Sequence, residues 1–489
     1  MYYSSIVENI ARHVQDKSNK LCMTDGKITL NYKETWENIC GFADRLESMG
    51  IKKGDCVVTE CNQSVNFLVA YFAVQKVGAI NVPLEKNAAL SRVLEIVGDT
   101  NAKLHISNKE VAELKIPHID IAETTEKQLA VDPDTVTFPE GSDVAEILFS
   151  TGTTGKSKGI VLTHRNDVAI AENVINGTKM KPDNIEIIPM PMSHSHGLRR
   201  MYGNMVNGSS VVLLDGVTFV KKMFNLMDEF GVTSMDLSPS MLSIIFKLSH
   251  DKLGEYADKL DYVQLGSAPL GEEDKVHLSR ILPHTRLYNF YGSTEAGCSC
   301  LMDFNEMSGK PGCIGRPATN AHFIVVDENR KEIASSPESL GFLASSGDIN
   351  MREYFQAPEL TKEAMANGYI YTKDLGYIDD EGLVYMLGRK DDVINYGGVK
   401  ISPEEVESVV MTNSWIHDCA LIPISDPLTG QAPKLFIALE NAADYDEKEF
   451  KKFLQAELDA NKQPKIIQII DEIPRTFNGK IIRKDLANK

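Results

Sequence analysis

A stretch rich in glycine, threonine and lysine, at residues 150–159, has the composition of a phosphate-binding loop. Its sequence is Ser-Thr-Gly-Thr-Thr-Gly-Lys-Ser-Lys-Gly, in which glycines let backbone amides turn toward an anion while hydroxyls and lysines add donors and charge. The stretch nearly matches the Walker pattern G-x-x-x-x-G-K-[ST], with Ser150 in place of the first glycine. A Walker loop opens a helix, whereas residues 159–164 are a β-branched run typical of a strand. We therefore predict a phosphate loop that joins two strands; the alternative is a surface hairpin that binds nothing.

Composition and charge limit the kind of protein that contains this loop. The chain has 489 residues, of which 43% are hydrophobic and 25% charged, as in globular proteins of more than one domain. Its formal charge of −18 opposes attraction to nucleic acids and anionic membranes, and it contains no long apolar run that would predict a membrane span. The first residues lack the pattern of a secretory signal, so we expect a cytoplasmic protein. The eight cysteines include no Cys-x-x-Cys pair and suggest neither disulfides nor a zinc site.

The spacing of helical and strand patterns predicts an α/β protein with a large and a small domain. Residues 1–120 alternate helical patterns with short apolar strands. Between 144 and 303, β-rich runs alternate with longer helical stretches, which favours parallel strands at 186–189, 210–214, 234–237, 262–265 and 286–290. We predict a large N-terminal domain, 1–388, made of two α/β subdomains plus a small β-barrel at 312–388. A hinge at 389–392 and a small, mobile α+β C-terminal domain, 393–489, complete the prediction.

Four more segments follow the loop in the chain, and with it they resemble the adenylate-forming, or AMP-binding, superfamily. They are Asn289-Phe-Tyr-Gly-Ser-Thr-Glu295, Tyr371-Thr-Lys-Asp374, Gly388-Arg-Lys-Asp-Asp392 and Pro474-Arg-Thr-Phe-Asn-Gly-Lys480. They are similar to the family's N-x-Y-G-x-T-E, T-G-D, hinge and P-R-T-x-x-G-K motifs, in the family's order. Lys373 stands where the family usually has the glycine of T-G-D, which puts the local turn in doubt. The superfamily includes acyl- and aryl-CoA ligases, nonribosomal adenylation domains and firefly luciferases.

The resemblance implies an ATP site. Tyr291 would offer an aromatic face to adenine and Asn289 an amide to its exocyclic amine, while Asp374 would accept hydrogen bonds from the ribose hydroxyls. Thr294 would contact the α-phosphate, and Glu295 would hold Mg²⁺. The alternatives are a strand end packed into the core and an exposed loop glutamate without a ligand. The residues expected to bind ATP or coenzyme A are Thr151, Gly152, Thr153, Thr154, Gly155, Lys156, Lys158, Gly266, Ser267, Ala268, Asn289, Phe290, Tyr291, Gly292, Ser293, Asp374, Arg389, Gly397, Gly398 and Lys400.

The resemblance also gives a catalytic role to Lys480 and movement to the C-terminal domain. Lys480 follows an Asn-Gly dipeptide that favours a tight turn, and it would bridge the carboxylate and α-phosphate oxygens as negative charge develops. Rotation about Asp391, which matches the family's hinge residue, would then bring the segment Tyr396–Lys400 to the site for the pantetheine arm of CoA. The alternative for Lys480 is a solvated lysine in a basic tail.

The acid-binding pocket is expected around residues 189–199. His194 matches the family's gate residue and would control the path of the carboxylate; the alternative is a histidine packed at a helix start. An ungapped match to amino-acid-activating domains places Ser195 where those proteins carry the aspartate that pairs with the α-amino group, which disfavours α-amino acids. The same match makes Arg199 a pocket residue, and His196 is a further pocket candidate because it lies beside His194, whose role it could share. We hypothesise that Arg199 binds a second anionic or polar group of the acid; the alternative is a surface charge.

The sequence therefore predicts an ATP-dependent carboxylic acid–CoA ligase, an AMP-forming acid–thiol ligase that works in two half-reactions. Acyl-AMP forms with release of pyrophosphate, and the acyl group then passes to CoA with release of AMP. One alternative is a stand-alone adenylation enzyme that loads a separate carrier protein. Another is a non-catalytic nucleotide sensor, which would have no need for both Glu295 and Lys480. The expected cofactors are ATP, Mg²⁺ and coenzyme A, and the expected partner is a small carboxylic acid, with no nucleic acid and no membrane insertion.

Overall fold

The computed structural model describes residues 2–151, 157–268, 270–307, 309–310, 312–390, 392–396, 399–476 and 480–487. Within these ranges the strands form three sheets, which we call A, B and C. None of the helices described is long and apolar enough to cross a membrane.

Sheet A has a parallel half and an antiparallel half, which share one central strand, Arg286–Ser293. The parallel half runs, in spatial order, through Leu21–Thr24, Ser210–Leu213, Ile185–Ile188, Ser234–Leu237, Tyr262–Leu265 and Arg286–Ser293, with Thr29–Asn31 antiparallel at its outer edge. The antiparallel half continues through Gly297–Asp303, Cys313–Pro317, Val384–Arg389, Tyr369–Ile378, Gly341–Ser346 and His322–Val326, with Met365–Ala366 beside Tyr369–Ile378. The predicted α/β class is confirmed, and all five predicted runs are parallel strands.

Sheet B positions the predicted phosphate loop. Its order is Glu353–Tyr354, Ser157–Thr163, Val144–Thr151, Ile80–Glu85, Cys56–Cys61, Leu104–Ser107 and His118–Asp120. Strands Val144–Thr151 and Ser157–Thr163 pair antiparallel, with Thr151 opposite Ser157. The prediction that the loop joins two strands is therefore confirmed, and the Walker reading, which needs a helix there, is wrong.

Helices separate and cover the two large sheets. One hydrophobic core joins residues of sheets A and B with helices Ile6–Lys17, Tyr32–Ser48, Val65–Val77, His164–Thr178 and Ser195–Asn207. Helix Val65–Val77 is apolar on nearly every side and almost wholly buried, as expected for the middle of such a layer. The opposite face of sheet A packs against helices Val220–Phe230, Pro239–Ser249 and Glu272–Ile281. Shorter or peripheral helices are Leu90–Thr100, Ile121–Thr125, Pro133–Thr135, His250–Tyr256, Phe304–Met307 and Pro358–Ala364.

The C-terminal residues form a separate α+β unit around sheet C. Its strand order is Val399–Ile401, Ile394–Tyr396, Gly430–Leu439 and Ile416–Asp426, and Ile466–Ile469 pairs parallel with Gly430–Leu439. Helices Pro403–Val410 and Glu447–Glu457 contribute to a core of its own, and Arg483–Leu486 lies near the end of the chain. An independent core is what allows such a unit to move as one body.

Candidate active site

The turn after the central strand of sheet A brings Glu295 to the phosphate hairpin of sheet B. Tyr354, only 8% exposed, donates a hydrogen bond from Oη to Glu295 Oε1 over 2.8 Å. Tyr354 also pairs with Ile160 in the strand that leaves the loop, and Lys158 Nζ lies 5.8 Å from its ring centroid. The loop lysine and the predicted metal ligand thus lie on either side of one tyrosine, which the sequence analysis missed.

Glu295 fits the predicted Mg²⁺ site. Its Oε1 is fixed by Tyr354, while the side chain remains partly exposed. No group of three or more metal-ligating side chains occurs among the described residues, so the protein alone would supply few ligands. Mg²⁺ commonly binds in this way, through one or two carboxylates, substrate phosphates and water.

The predicted adenine and ribose residues lie together on neighbouring strands. Tyr291 Oη donates a hydrogen bond to the Asp374 carboxylate, and burial together with this carboxylate raises the pKa of Tyr291. Asn289, two residues earlier on the same face, has a buried Oδ1 without a hydrogen-bond partner in the described structure. A buried acceptor without a partner fits the exocyclic amine of adenine. Phe290 points the other way, into the core, where a Cβ on Gly177 would lie 2.9 Å from its ring.

Asp374 lies inside a strand rather than in a turn. Strand Tyr369–Ile378 runs through Lys373 and Asp374 and pairs Asp374 with Arg389, whose Nε is 3.7 Å from Oδ1. Lys373 is accommodated because an extended strand does not need the glycine that a turn would. Arg389, at the predicted boundary of the large domain, therefore already contacts the predicted ribose residue.

Lys480 faces this site from the C-terminal unit. Its backbone is fixed by two hydrogen bonds with Thr476, at 2.7 and 3.1 Å, and the residue is exposed to solvent. Desolvation lowers the pKa of Lys480, as does Arg389, whereas Asp374 and Glu295 act in the opposite direction. Since such effects require proximity, the lysine lies close to two carboxylates that precede it by more than a hundred residues.

His194 and Ser195 begin the helix that points toward the Thr294 turn. His194 is the N-cap residue of this helix, and its side chain makes no capping hydrogen bond. Burial lowers the pKa of His194, which favours the neutral imidazole, and Lys480 is among the charges that act on it. Ser195 Oγ is 3.1 Å from Thr294 Oγ1. The predicted gate, pocket and α-phosphate residues therefore meet at one point.

His196 is part of a hydrogen-bonded chain that the sequence analysis did not foresee. Its Nδ1 is 2.7 Å from Ser267 Oγ, and its Nε2 is 2.9 Å from Oδ1 of the fully buried Asp236. Ser267 has a left-handed φ of +72°, and a Cβ on Gly266 would lie 2.9 Å from His196 Cε1. Gly266, Ser267 and Ala268, which are among the residues expected to bind ATP or coenzyme A, follow directly after strand Tyr262–Leu265.

Arg199 is buried, 6% exposed, so its interpretation as a surface charge is wrong. Its Nη2 donates to the Ser293 carbonyl over 2.6 Å, directly before the Thr294 turn. Two buried carboxyl groups lie near it. Burial raises the pKa of Glu146 to about 7 and raises that of Asp167, while the charge of Arg199 lowers both. Its neighbour Arg200 is occupied elsewhere, in a buried bidentate pair with Glu186 at 2.7 and 2.8 Å.

These contacts give Arg199→Ala two measurable consequences. Removing the buried side chain deletes the hydrogen bond to the Ser293 carbonyl and a cation that acts on Glu146 and Asp167, so we expect the free energy of unfolding to fall by about 2 kcal/mol in denaturant titration. Because Arg199 already binds the Ser293 carbonyl, we also expect adenylation rates to fall by a similar factor for monocarboxylic and dicarboxylic acids. A loss confined to diacids would instead support the hypothesis that Arg199 binds a second substrate group.

Part of the predicted site lies outside the described residues. This applies to Gly152, Thr153, Thr154, Gly155, Lys156, Asp391, Gly397 and Gly398, and to the side chains of Thr151 and Lys400. Their roles stay predictions.

Comparison with protein families gives matches along most of the chain. Residues 10–355 match the family described as AMP-binding enzyme, and residues 405–480 match the AMP-binding enzyme C-terminal domain. Among curated relatives, 4-coumarate–CoA ligase 3 of Arabidopsis thaliana is 27% identical over 502 residues, covering 96% of this chain and 89% of the relative. The peroxisomal OPC-8:0-CoA ligase 1 of the same plant is also 27% identical, covering 94% and 88%.

Solved structures agree with this assignment at the level of the fold. ATP-bound MatB from Rhodopseudomonas palustris superposes with a TM-score of 0.89 at 23% identity, covering 100% of this chain and 99% of MatB. The o-succinylbenzoate CoA synthetase MenE from Bacillus subtilis, in complex with its acyl-adenylate, gives a TM-score of 0.86 at 21% identity, covering 98% and 97%. With its family matches and its two-part α/β architecture, the chain belongs to the AMP-binding, adenylate-forming enzymes.

Proposed function

We propose that this enzyme is an ATP-dependent carboxylic acid–CoA ligase that forms an acyl-AMP intermediate. The observation that carries the proposal is that Glu295 and Asp374 both act electrostatically on Lys480, near the contacts that Thr294 makes with Ser195 and Lys158 with the Tyr354 ring. A nucleotide sensor would have no use for a lysine from a separate unit at this point. The names of the curated relatives favour CoA over a carrier protein as acceptor.

In the first half-reaction, the residues of the cleft would act on ATP and the acid together. Asn289, Tyr291 and Asp374 would hold adenine and ribose. The carboxylate of the acid attacks the α-phosphorus, and the bond to pyrophosphate breaks. Lys480 and Thr294 would stabilise the charge that develops on the oxygens around phosphorus. Mg²⁺, held by Glu295, would supply neutralising charge for the pyrophosphate.

In the second half-reaction, the C-terminal unit would rotate about the hinge at 389–392. This would turn the predicted small domain, 393–489, relative to the predicted large domain, 1–388, withdraw Lys480 and bring residues 396–400 to the cleft. The thiol of CoA then attacks the acyl carbonyl, and AMP leaves. Neutral His194, at the start of its helix, would open or close the path to the carbonyl.

Two assays test this function. Acid-dependent exchange of labelled pyrophosphate into ATP reports the first half-reaction, and we expect it with at least one member of a panel of aliphatic, aromatic and hydroxy acids. Product analysis with CoA and with a phosphopantetheinylated carrier protein reports the second, and we expect the CoA thioester. Absence of exchange with every acid would favour the nucleotide sensor, and transfer to the carrier alone would favour the stand-alone adenylation enzyme.

A further inference from the structure

The chain Asp236–His196–Ser267 begins at the acid-binding residues of the cleft and ends at Ser267, which is also one of the residues expected to line the nucleotide site. His196 is one residue from Ser195, which contacts Thr294, so the chain lies close to where the acid meets the α-phosphate. The His196 side chain is 15% exposed and Ser267 is half-buried, whereas Asp236 is completely buried. Only the serine and the histidine can therefore touch a substrate.

Asp236 fixes the direction of the hydrogen bonds in this chain. An ionised carboxylate only accepts, so it selects the imidazole tautomer that carries its proton on Nε2. Burial raises the pKa of Asp236 and Glu186 adds to that shift, while the hydrogen bond from His196 and the charge of Arg200 act against it and favour the ionised form. The other ring nitrogen, Nδ1, then accepts from Ser267, because a neutral imidazole has one donor and one acceptor. The Ser267 hydroxyl therefore donates its proton to His196, and its oxygen can accept a hydrogen bond from a group in the cleft.

The backbone of Ser267 supports a role beyond packing. Its φ of +72° is a left-handed conformation that side chains other than glycine adopt rarely and at some cost. This conformation directs Oγ to within 2.7 Å of His196. A glycine here would avoid the strain but would leave His196 Nδ1 without its partner.

The group that Ser267 would bind has to be a hydrogen-bond donor. An ammonium group is a poor fit, because neither oxygen of Asp236 is exposed and Ser195 adds no charge. A second carboxylate is also a poor fit, since it would face lone pairs. A hydroxyl group donates one hydrogen bond and needs no counter-charge.

We propose that Ser267, held in place by His196 and Asp236, selects the substrate of this enzyme by accepting a hydrogen bond from the hydroxyl group of a hydroxy acid. The inference rests on the proposed ligase function and assigns a substrate class to it. Asp236 is a positioning residue in this scheme, since it acts only through His196.

Matched acids that differ by a hydroxyl or a methyl group test the proposal. Pyrophosphate exchange is measured with lactate against isobutyrate and with β-hydroxybutyrate against isovalerate. We expect kcat/KM to favour the hydroxy acid by about tenfold or more in at least one pair. The methyl analogue lacks one hydrogen bond and leaves a polar group of the protein unpaired, and this is the size of effect such a loss produces. Ser267→Ala should lose this preference by slowing the hydroxy acid alone. Alanine has the same Cβ and therefore the same backbone strain as serine.

Asp236→Asn provides the second arm, because an amide can donate to Nε2 and so permits the opposite tautomer. We expect it to lower the preference while CoA thioester formation from the methyl analogue continues. Ser243→Ala, at an exposed serine of the neighbouring helix, is the control and should leave the ratio unchanged. Equal rates within both pairs, or an equal loss on both acids in Ser267→Ala, would overturn the inference while leaving the ligase function standing. Absence of exchange with every acid contradicts both.

Discussion

Replacing Lys480 by alanine is expected to lower the rate of acyl-AMP formation by two to three orders of magnitude, roughly the effect of removing one donor that stabilises developing charge. The lysine is the residue of the C-terminal unit that faces Glu295 and Asp374, and its ammonium group is the charge that would bridge the attacking carboxylate and the α-phosphate. Its contribution is confined to the first half-reaction. Thioester formation from chemically synthesised acyl-AMP and CoA should therefore fall by less than about tenfold, within the range of ordinary surface effects on binding.

A surface lysine of the same unit gives the matched control. Lys452 is 69% exposed and pairs with Glu449 over 2.6 Å, so Lys452→Ala removes an equal charge without approaching the cleft. Equal loss of both half-reactions in Lys480→Ala would contradict the assignment, because it would indicate a folding or docking defect.

The charge of Lys480 should also make the adenylation rate depend on pH. Since desolvation lowers the pKa of Lys480, its ammonium group loses its proton at a lower pH than an ordinary lysine, whose pKa is 10.5. In the wild type, kcat/KM for ATP should decline on the alkaline side before that value, and this limb should be missing in Lys480→Ala.

Most of what could be predicted about this site came from short continuous sequence motifs. The phosphate hairpin could be predicted because its glycines, hydroxyls and lysines are neighbours in the chain and the strand that follows has a distinctive β-branched run. The parallel strands of sheet A could be predicted for a similar reason, since each is a brief apolar run between helical stretches. Resemblance to a family then connected motifs whose proximity no local pattern reveals.

The residues that were missed act through contacts between distant segments. Tyr354 reaches Glu295 across 59 positions, and Asp236 reaches His196 across 40. One signal could still have found some of them. Asp236, Glu146 and Glu186 each interrupt an apolar strand that is expected to be buried, and a buried carboxylate requires a partner. The acidic residue in such a strand therefore predicts a polar partner, although the identity of that partner depends on packing.

The second large effect is expected for Glu295→Gln, which tests the metal site without disturbing the turn. Glutamine has nearly the same shape, and its Oε1 can still accept the hydrogen bond that Tyr354 donates to Glu295. What is lost is one negative charge and the preference of Mg²⁺ for a carboxylate oxygen. We expect pyrophosphate exchange to slow by about a hundredfold and its Mg²⁺ dependence to move to at least tenfold higher metal concentration, in line with losses of metal-site interactions. Titration of exchange activity with Mg²⁺ at saturating ATP measures both quantities.

Two nearby substitutions distinguish the effect of the Glu295 charge from the effect of the residues around it. Tyr354→Phe removes the hydrogen bond but keeps the carboxylate, so it should alter the Mg²⁺ dependence far less than Glu295→Gln does. Glu353→Gln removes a carboxylate next to Tyr354 in the chain whose side chain is 53% exposed, and it should have no effect on either quantity. If Glu295→Gln slows exchange while the Mg²⁺ dependence stays where it is in the wild type, the carboxylate does not bind the metal. Its role would then be to act on Lys480 and Tyr354 across the cleft, the two groups that the structure places beside it.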